Sequence, residues 1–376
     1  MFYCNARVYG PDFHFHHGGF EVRSDRFGAV LPEQLPADAV DLHGATVIPG
    51  LIDLHTHGNS GADFSDGDTV GLRTMARYLL RQGVTSFLPT SMTLPYEVLS
   101  AAFDTARTLR QADEGDCARI LGIHMEGPYF SEKKKGAQNA AYLKNPDPEG
   151  FEDLNRRCGG LIRLVDVAPE LPGAAAFIRR ASKSCTVSVA HTDSDYSHAK
   201  AAFDAGATHL THLYNAMPGI HHRNPGVIPA AVEQPNVRAE LICDGQHIHP
   251  AAVRLAFAMF GPARMILISD ALRCCGMPDG DYTLGGQAIR LSGGVARLTD
   301  GTIAGSAANL MQCMKKAMDF GIPEEDAVRA AACNPACAIG ADRTVGFLRE
   351  GQLADFLICT EGYRQVRVFR GGREAV

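Results

Sequence analysis

Imidazole and carboxylate groups recur in this chain where short apolar runs end. VIPGLIDLH (47–55) ends in His55 and is followed by Thr56 and His57. ILGIHME (120–126) ends in Glu126, TVSVAH (186–191) in His191 and MILISD (265–270) in Asp270, while HLTHL (209–213) carries His212. Imidazole nitrogen and carboxylate oxygen are preferred ligands of zinc and of ferrous iron. A set of His and carboxylate without Cys has the character of an open, catalytic metal site. Such a site lowers the pKa of bound water to about 7 and so generates a nucleophile at neutral pH. Asp270 is placed to take that water's proton and return it to a leaving amine or alcohol. The chemistry within reach is hydrolysis at an acyl or amidine carbon, with no bound organic cofactor.

These residues come from distant segments, so the fold has to gather them. Three more apolar runs complete a set of eight after residue 45: VTSFLPT (84–90), LVDVAP (164–169) and AELICD (239–244). Stretches with apolar residues at 3–4 spacing separate most of the runs, at 68–82, 96–110, 197–205 and 250–259. Strands alternating with helices predict a parallel sheet. Eight repeats in roughly 225 residues predict a closed (β/α)8 TIM barrel, whose active sites form at the C-terminal face of the strands. That face is where the six groups fall. His55 and His57 are two apart, so both side chains leave one face of a strand. One such histidine alone reads as a satisfied core residue; six ligand-type groups at five strand ends in register do not.

The flanks read differently. Residues 1–48 and 341–376 hold short alternating segments punctuated by Gly and Pro, which predict hairpins. The two chain ends are expected to pair into one small β-sandwich beside the barrel, which takes 49–340. A hairpin-rich insertion near 281–303 interrupts the barrel after its last strand. Lys and Arg number 36 against 42 Asp and Glu, a net charge of −6. With no basic excess to neutralise phosphates, nucleic-acid binding is not expected. No uninterrupted apolar run approaches the ~20 residues a membrane span needs. The start, MFYCNARVYG, lacks the pattern of a signal peptide. The 11 cysteines form no C-x-x-C pair, so they read as reduced, buried thiols of a cytoplasmic protein rather than as a disulfide frame or a zinc cluster.

The chain resembles the amidohydrolase superfamily, and within it the deacetylases of phosphorylated amino sugars. The segments that carry the resemblance are PGLIDLHTHGNSGADF (49–64), GIHMEGPYFSEKKKGAQN (122–139), AHTDSD (190–195), THLYNAMPGIHHRNPG (211–226), CDGQHIHP (243–250), LISDA (267–271), DGTIAGSAANL (300–310) and EGQLADF (350–356). They run over nearly the whole chain in the family's order. The resemblance implies hydrolysis of N-acetylglucosamine 6-phosphate to glucosamine 6-phosphate and acetate, with the galactosamine epimer as the near alternative. A cyclic-amide hydrolase, a deaminase and an inactive scaffold are the more distant ones.

The resemblance also implies roles. Glu126, His191 and His212 match the shared metal ligands. His55 and His57 match a pair that supports a second metal in some members, with Glu126 bridging and Asp270 touching the second ion. One or two divalent ions per subunit, zinc or iron, are implied. LVDVAP contains no lysine, in keeping with a glutamate-bridged subclass. On the substrate side, Ala137 and Gln138 match a loop facing the sugar. Some members carry histidine at the second position, where it polarises the acetyl carbonyl. Asn215 and Ala216 match a sugar-phosphate contact, Arg223 and His247 a phosphate clamp, and Ile303, Ala304 and Gly305 a loop closing over substrate. The arginine can come from a neighbouring subunit, which implies a homodimer.

The remaining marked residues have plainer readings. Lys133, Lys134 and Lys135 form a solvated loop. His14, His16 and His17 lie on an edge hairpin far from the barrel mouth. His124, two before Glu126, is expected to support a ligand. His43 and His209 are treated as structural.

Overall fold

In a computed structural model, which describes residues 1–375, eight parallel strands form the barrel. They are Leu51–Thr56, Val84–Ser91, Arg119–Ile120 continued by Ile123–Met125, Ile162–Val167, Thr186–Val189, His209–Leu210, Arg238–Ile242 and Met265–Ile268. Each pairs with the next in parallel, and a parallel bridge from Thr56 to Ala271 joins the last strand end back to the first. Helices alternate with the strands as the periodicity predicts. Thr69–Arg81 buries Leu72, Met75, Ala76, Leu79 and Leu80, and Asp68 caps it by accepting from the amides of Val70 and Gly71. Tyr96–Ala112, Tyr196–Asp204 and Pro250–Phe260 lie within a few residues of their expected bounds. The strands Leu51–Thr56 and Val84–Ser91 are buried at every position because helices cover the sheet outside and side chains fill it inside. Ile52, Leu88, Leu164, Ile242, Ile266 and Ile268 pack together as an apolar plug within the barrel.

The run 47–55 is two strands, not one. Thr46–Pro49 pairs antiparallel with Phe356–Cys359 in a sheet outside the barrel, and Leu51–Thr56 starts the barrel itself. The break falls at Gly50, where a Cβ would lie 2.2 Å from the Thr85 hydroxyl. Both pieces are buried and apolar, so hydrophobicity alone carries no mark of the break.

The two chain ends do meet. Phe2–Tyr9, Phe15–Arg23, Arg26–Val30, Thr46–Pro49, Phe356–Cys359, Val366–Arg370 and Arg373–Glu374 form one continuous sheet, with Val40–Asp41 as an eighth strand beside Phe2–Tyr9. The rings of Phe27 and Phe356 stand four strand steps apart, about 19 Å on a flat sheet. Their centroids are 5.8 Å apart. The sheet therefore folds over an aromatic core of Tyr3, Phe20, Phe27, Phe356 and Phe369. The insertion is a four-stranded antiparallel sheet, Gly280–Leu284, Gln287–Ser292, Val295–Leu298 and Ile303–Ser306, and Ser306 bridges to Ala271 at the barrel mouth. Among the described residues no helix is long and apolar enough to cross a membrane.

Candidate active site

Each of the six groups lies at or just past a barrel strand's C-terminal end. His191 and Asp270 stand two residues beyond their strands. So does His212, because its strand is only His209–Leu210 rather than the whole run 209–213. All three have positive φ, at 43° for His191, 47° for Asp270 and 29° for His212. Residues other than Gly adopt this region uncommonly, and it concentrates where surroundings force a functional geometry. Here it turns the side chains inward where the strand stops.

Two clusters share one carboxylate. Glu126 Oε1 lies 3.2 Å from His191 Nε2 and 3.3 Å from His212 Nε2, which are 3.0 Å from each other. Glu126 Oε2 lies 3.4 Å from His57 Nε2, which is 3.3 Å from His55 Nε2. Asp270 Oδ1 stands 3.3 Å from His57 Nε2 and 3.5 Å from His55 Nε2. His55, His57, Glu126, His191, His212 and Asp270 are all buried.

Tautomers test whether a cation fits. The Nδ1 atom of His55 faces Glu240 Oε2 at 3.1 Å, that of His57 faces the Thr90 carbonyl at 3.1 Å, and that of His191 faces the Lys134 carbonyl at 2.8 Å. Each acceptor calls for a proton on Nδ1, so a neutral ring presents its lone pair at Nε2. These Nε2 atoms converge on one another and on two carboxylates. Lone pairs facing lone pairs repel unless positive charge sits among them. Without a metal, protons must supply it. Burial opposes charge on His57, yet the Asp270 hydrogen bond and Glu126 raise it to about 9. Burial likewise opposes charge on His212, and Glu126 raises it to about 9. Burial would raise Glu126, but the hydrogen bonds from His191 and His212 hold it well below the carboxylate range. Burial would also raise Asp270, but His55 and His57 hold it low. A divalent cation matches this donor set, with Glu126, His191 and His212 as one triad and His55, His57 and Glu126 as the other.

Outside these groups is a cleft of about 220 Å³. Its lining includes Ala137, Gln138, Asn215, Ala216, His247, Ile303, Ala304 and Gly305 together with His57, Glu126, His191 and Asp270. His247 bridges Asp244 Oδ2 at 2.7 Å and the Ala304 carbonyl at 2.8 Å. Burial lowers its pKa, but Asp244 outweighs burial and the net shift is upward. Gly305 abuts Asp270: a Cβ there would lie 2.5 Å from the Asp270 carbonyl and 2.9 Å from its Oδ1.

Arg223 is the exception. It sits on the exposed stretch 219–224, its guanidinium 2.8 Å from His222 Nε2, outside the cleft lining of its own chain. Gln138 lines the cleft and has partners of its own. Its amide is turned to Glu126 and to the Thr93 backbone.

Several contributors escaped the sequence reading. Glu240 links His209 Nε2, at 3.0 Å, to His55, so His209 belongs to the chain of bonds that orients a ligand-type ring. His124, which the sequence reading did expect to support a ligand, has its Nε2 3.1 Å from Asp166, and its ring stands edge-on to His55 with centroids 4.6 Å apart. Met92, Leu272 and Leu284 give the cleft an apolar wall. The available signal was a carboxylate flanked by apolar residues within a run, Glu240 in AELICD and Asp166 in LVDVAP, because a buried charge needs a partner.

The fold and this site define a class, and the chain belongs to the amidohydrolase family, whose model matches residues 46–375. That family generally uses a divalent metal, consistent with the two clusters. Its relatives include the N-acetylglucosamine-6-phosphate deacetylase of Vibrio furnissii, 38% identical over 90% of this chain and 85% of the relative. The N-acetylgalactosamine-6-phosphate deacetylase of Escherichia coli O157:H7 is 33% identical over 91% of each chain. A solved aspartate-to-alanine variant of N-acetyl-D-glucosamine-6-phosphate deacetylase from Mycobacterium smegmatis, in complex with N-acetyl-D-glucosamine-6-phosphate, matches at a TM-score of 0.93. It is 35% identical, covering 100% of this chain and 99% of its own.

Proposed function

We propose that this chain hydrolyses the acetamide of N-acetylglucosamine 6-phosphate, releasing glucosamine 6-phosphate and acetate. The observation that carries this reading is the pair of His clusters sharing Glu126 beneath a cleft lined by Gln138, Asn215 and His247. Glu126, His191 and His212 would hold one divalent ion, zinc or iron, and His55 and His57 with Glu126 a second. The metal's contribution when bound is Lewis acidity toward the carbonyl and a lowered pKa for bound water.

The chain's own residues handle the protons and the positioning. Asp270 is held ionised by His55 and His57, so its carboxylate accepts a proton from the attacking water. The same group then delivers that proton to the sugar nitrogen as the C–N bond breaks. Strain at residue 270 and the absent side chain at Gly305 fix where this carboxylate stands. Asn215, Ala216 and His247 would orient the sugar phosphate. Arg223, exposed and outside the lining of its own cleft, would reach a neighbouring subunit's substrate in a homodimer, where its planar fork suits phosphate. Eleven free cysteines, most of them buried, suit a reducing cytoplasm.

Elemental analysis of the purified protein, combined with acetate release from N-acetylglucosamine 6-phosphate, tests metal, reaction and substrate together. Absence of both metal and acetate would sink the reading. The Escherichia coli relative supports the galactosamine epimer as a second substrate. The ratio of kcat/KM for the two epimers decides between them.

A further inference from the structure

Gln138 has both ends of its side chain committed. Its Oε1 accepts from the Thr93 backbone N–H at 2.8 Å, and its Nε2 donates to Glu126 Oε2. Turning the amide over would set an oxygen against the carboxylate and an NH2 against an N–H, so a single orientation satisfies both partners. The side chain is 3% exposed. The segment behind it is also tied down. Its own amide bonds the Lys135 carbonyl at 3.0 Å, and the adjacent Ala137 carbonyl accepts from Gln287 Nε2 at 2.6 Å. Gln287 belongs to the inserted hairpin sheet.

Glu126 needs such a restraint. Its two oxygens face different groups, Oε1 toward His191, His212 and, at 3.5 Å, His55, and Oε2 toward His57. Rotation of the carboxylate would spoil both. We infer that Gln138 is a positioning residue. Its amide, locked by Thr93, holds the Glu126 carboxylate in the rotation that serves both clusters, and it is not the group that polarises the substrate carbonyl. The inserted sheet supports this through Gln287. The inference rests on the reading of Glu126 as a metal ligand.

The test uses the metal-loaded protein and reads metal as well as activity. Wild type, Gln138→Ala and Gln138→Glu are purified under the same conditions and challenged with a chelator, and metal per chain is followed by elemental analysis. Glu keeps the shape but removes the donor and adds a like charge. Both variants should lose metal about 10–100-fold faster than wild type, the usual effect of removing a group that orients a ligand. Saturating metal should restore kcat to within a few-fold, with little change in KM for N-acetylglucosamine 6-phosphate. Metal release at the wild-type rate together with a depressed kcat would overturn the inference and make Gln138 the carbonyl's partner. Gln287→Ala, which removes the hydrogen bond to the Ala137 carbonyl, keeps the test decisive if the variants at 138 do not fold. It should release metal several-fold faster, and an unchanged rate counts against the inference. A wild-type protein without metal would instead sink the metal-centre reading itself.

Discussion

The spacing His-x-His recurs in the chain, and the copies at 14/16 and 55/57 have opposite fates. His14 Nδ1 lies 3.0 Å from Glu325 and His16 Nε2 2.9 Å from Asp12, so both have carboxylate partners at good distance. Their side chains are 66% and 43% exposed, against 0% and 4% for His55 and His57. Each hairpin histidine turns to its own acid in water, where such a pair is worth about 0–1 kcal/mol. The barrel pair instead has its Nδ1 atoms anchored, to Glu240 and to the Thr90 carbonyl, and its Nε2 atoms aimed at one place. Ligand-type residues at ligand spacing make a site only when burial and outer hydrogen bonds converge them.

Five experiments break or sharpen this contrast. Removing metal with a chelator should abolish acetate release, and readdition of zinc or ferrous ion should restore it; persistent activity would put both copies on an equal, non-catalytic footing. Asp270→Asn should lower kcat by a factor on the order of 10²–10⁴ at full metal occupancy, the range for a lost general base. Near-normal turnover would remove Asp270 from the proton transfer. Glu240→Gln should weaken metal binding by about 10–100-fold, read by chelator competition, because it loosens the anchor that distinguishes His55 from His14. Arg223→Ala should raise KM for the phosphorylated sugar about tenfold, in line with ~1.5–3 kcal/mol for a hydrogen bond to a charge. Sedimentation of the wild type would show whether a dimer exists to deliver that arginine. Replacing His14, His16 and His17 together by Ala should leave metal content and kcat unchanged and shift unfolding free energy by about 0.5 kcal/mol or less per residue.

Much of the barrel was legible because its signals are local. Apolar runs of strand length and the helical spacing between them act within a few residues. The division of 47–55 was not, since pairing with Phe356–Cys359 happens some 300 residues away in the chain. The inward aim of His191, His212 and Asp270 was legible as a position at strand ends but not as the left-handed backbone that produces it. His209 was read as structural, but its partner was not legible because Glu240 lies on the neighbouring strand. The partners of Gln138 were not legible, since Thr93 and Glu126 reach it from two other segments.

Residue types, their order and the period of the hydrophobic pattern were enough to indicate the barrel, the candidate ligand-type residues and the class of reaction they could serve. These depend on side-chain chemistry and on interactions along one stretch of chain. Tertiary structure alone decided which nitrogen of His55, His57 and His191 carries the lone pair, how the two oxygens of Glu126 are shared between the clusters, and that Arg223 lies outside its own cleft's lining. Those properties depend on hydrogen bonds and burial contributed by segments tens to hundreds of residues apart.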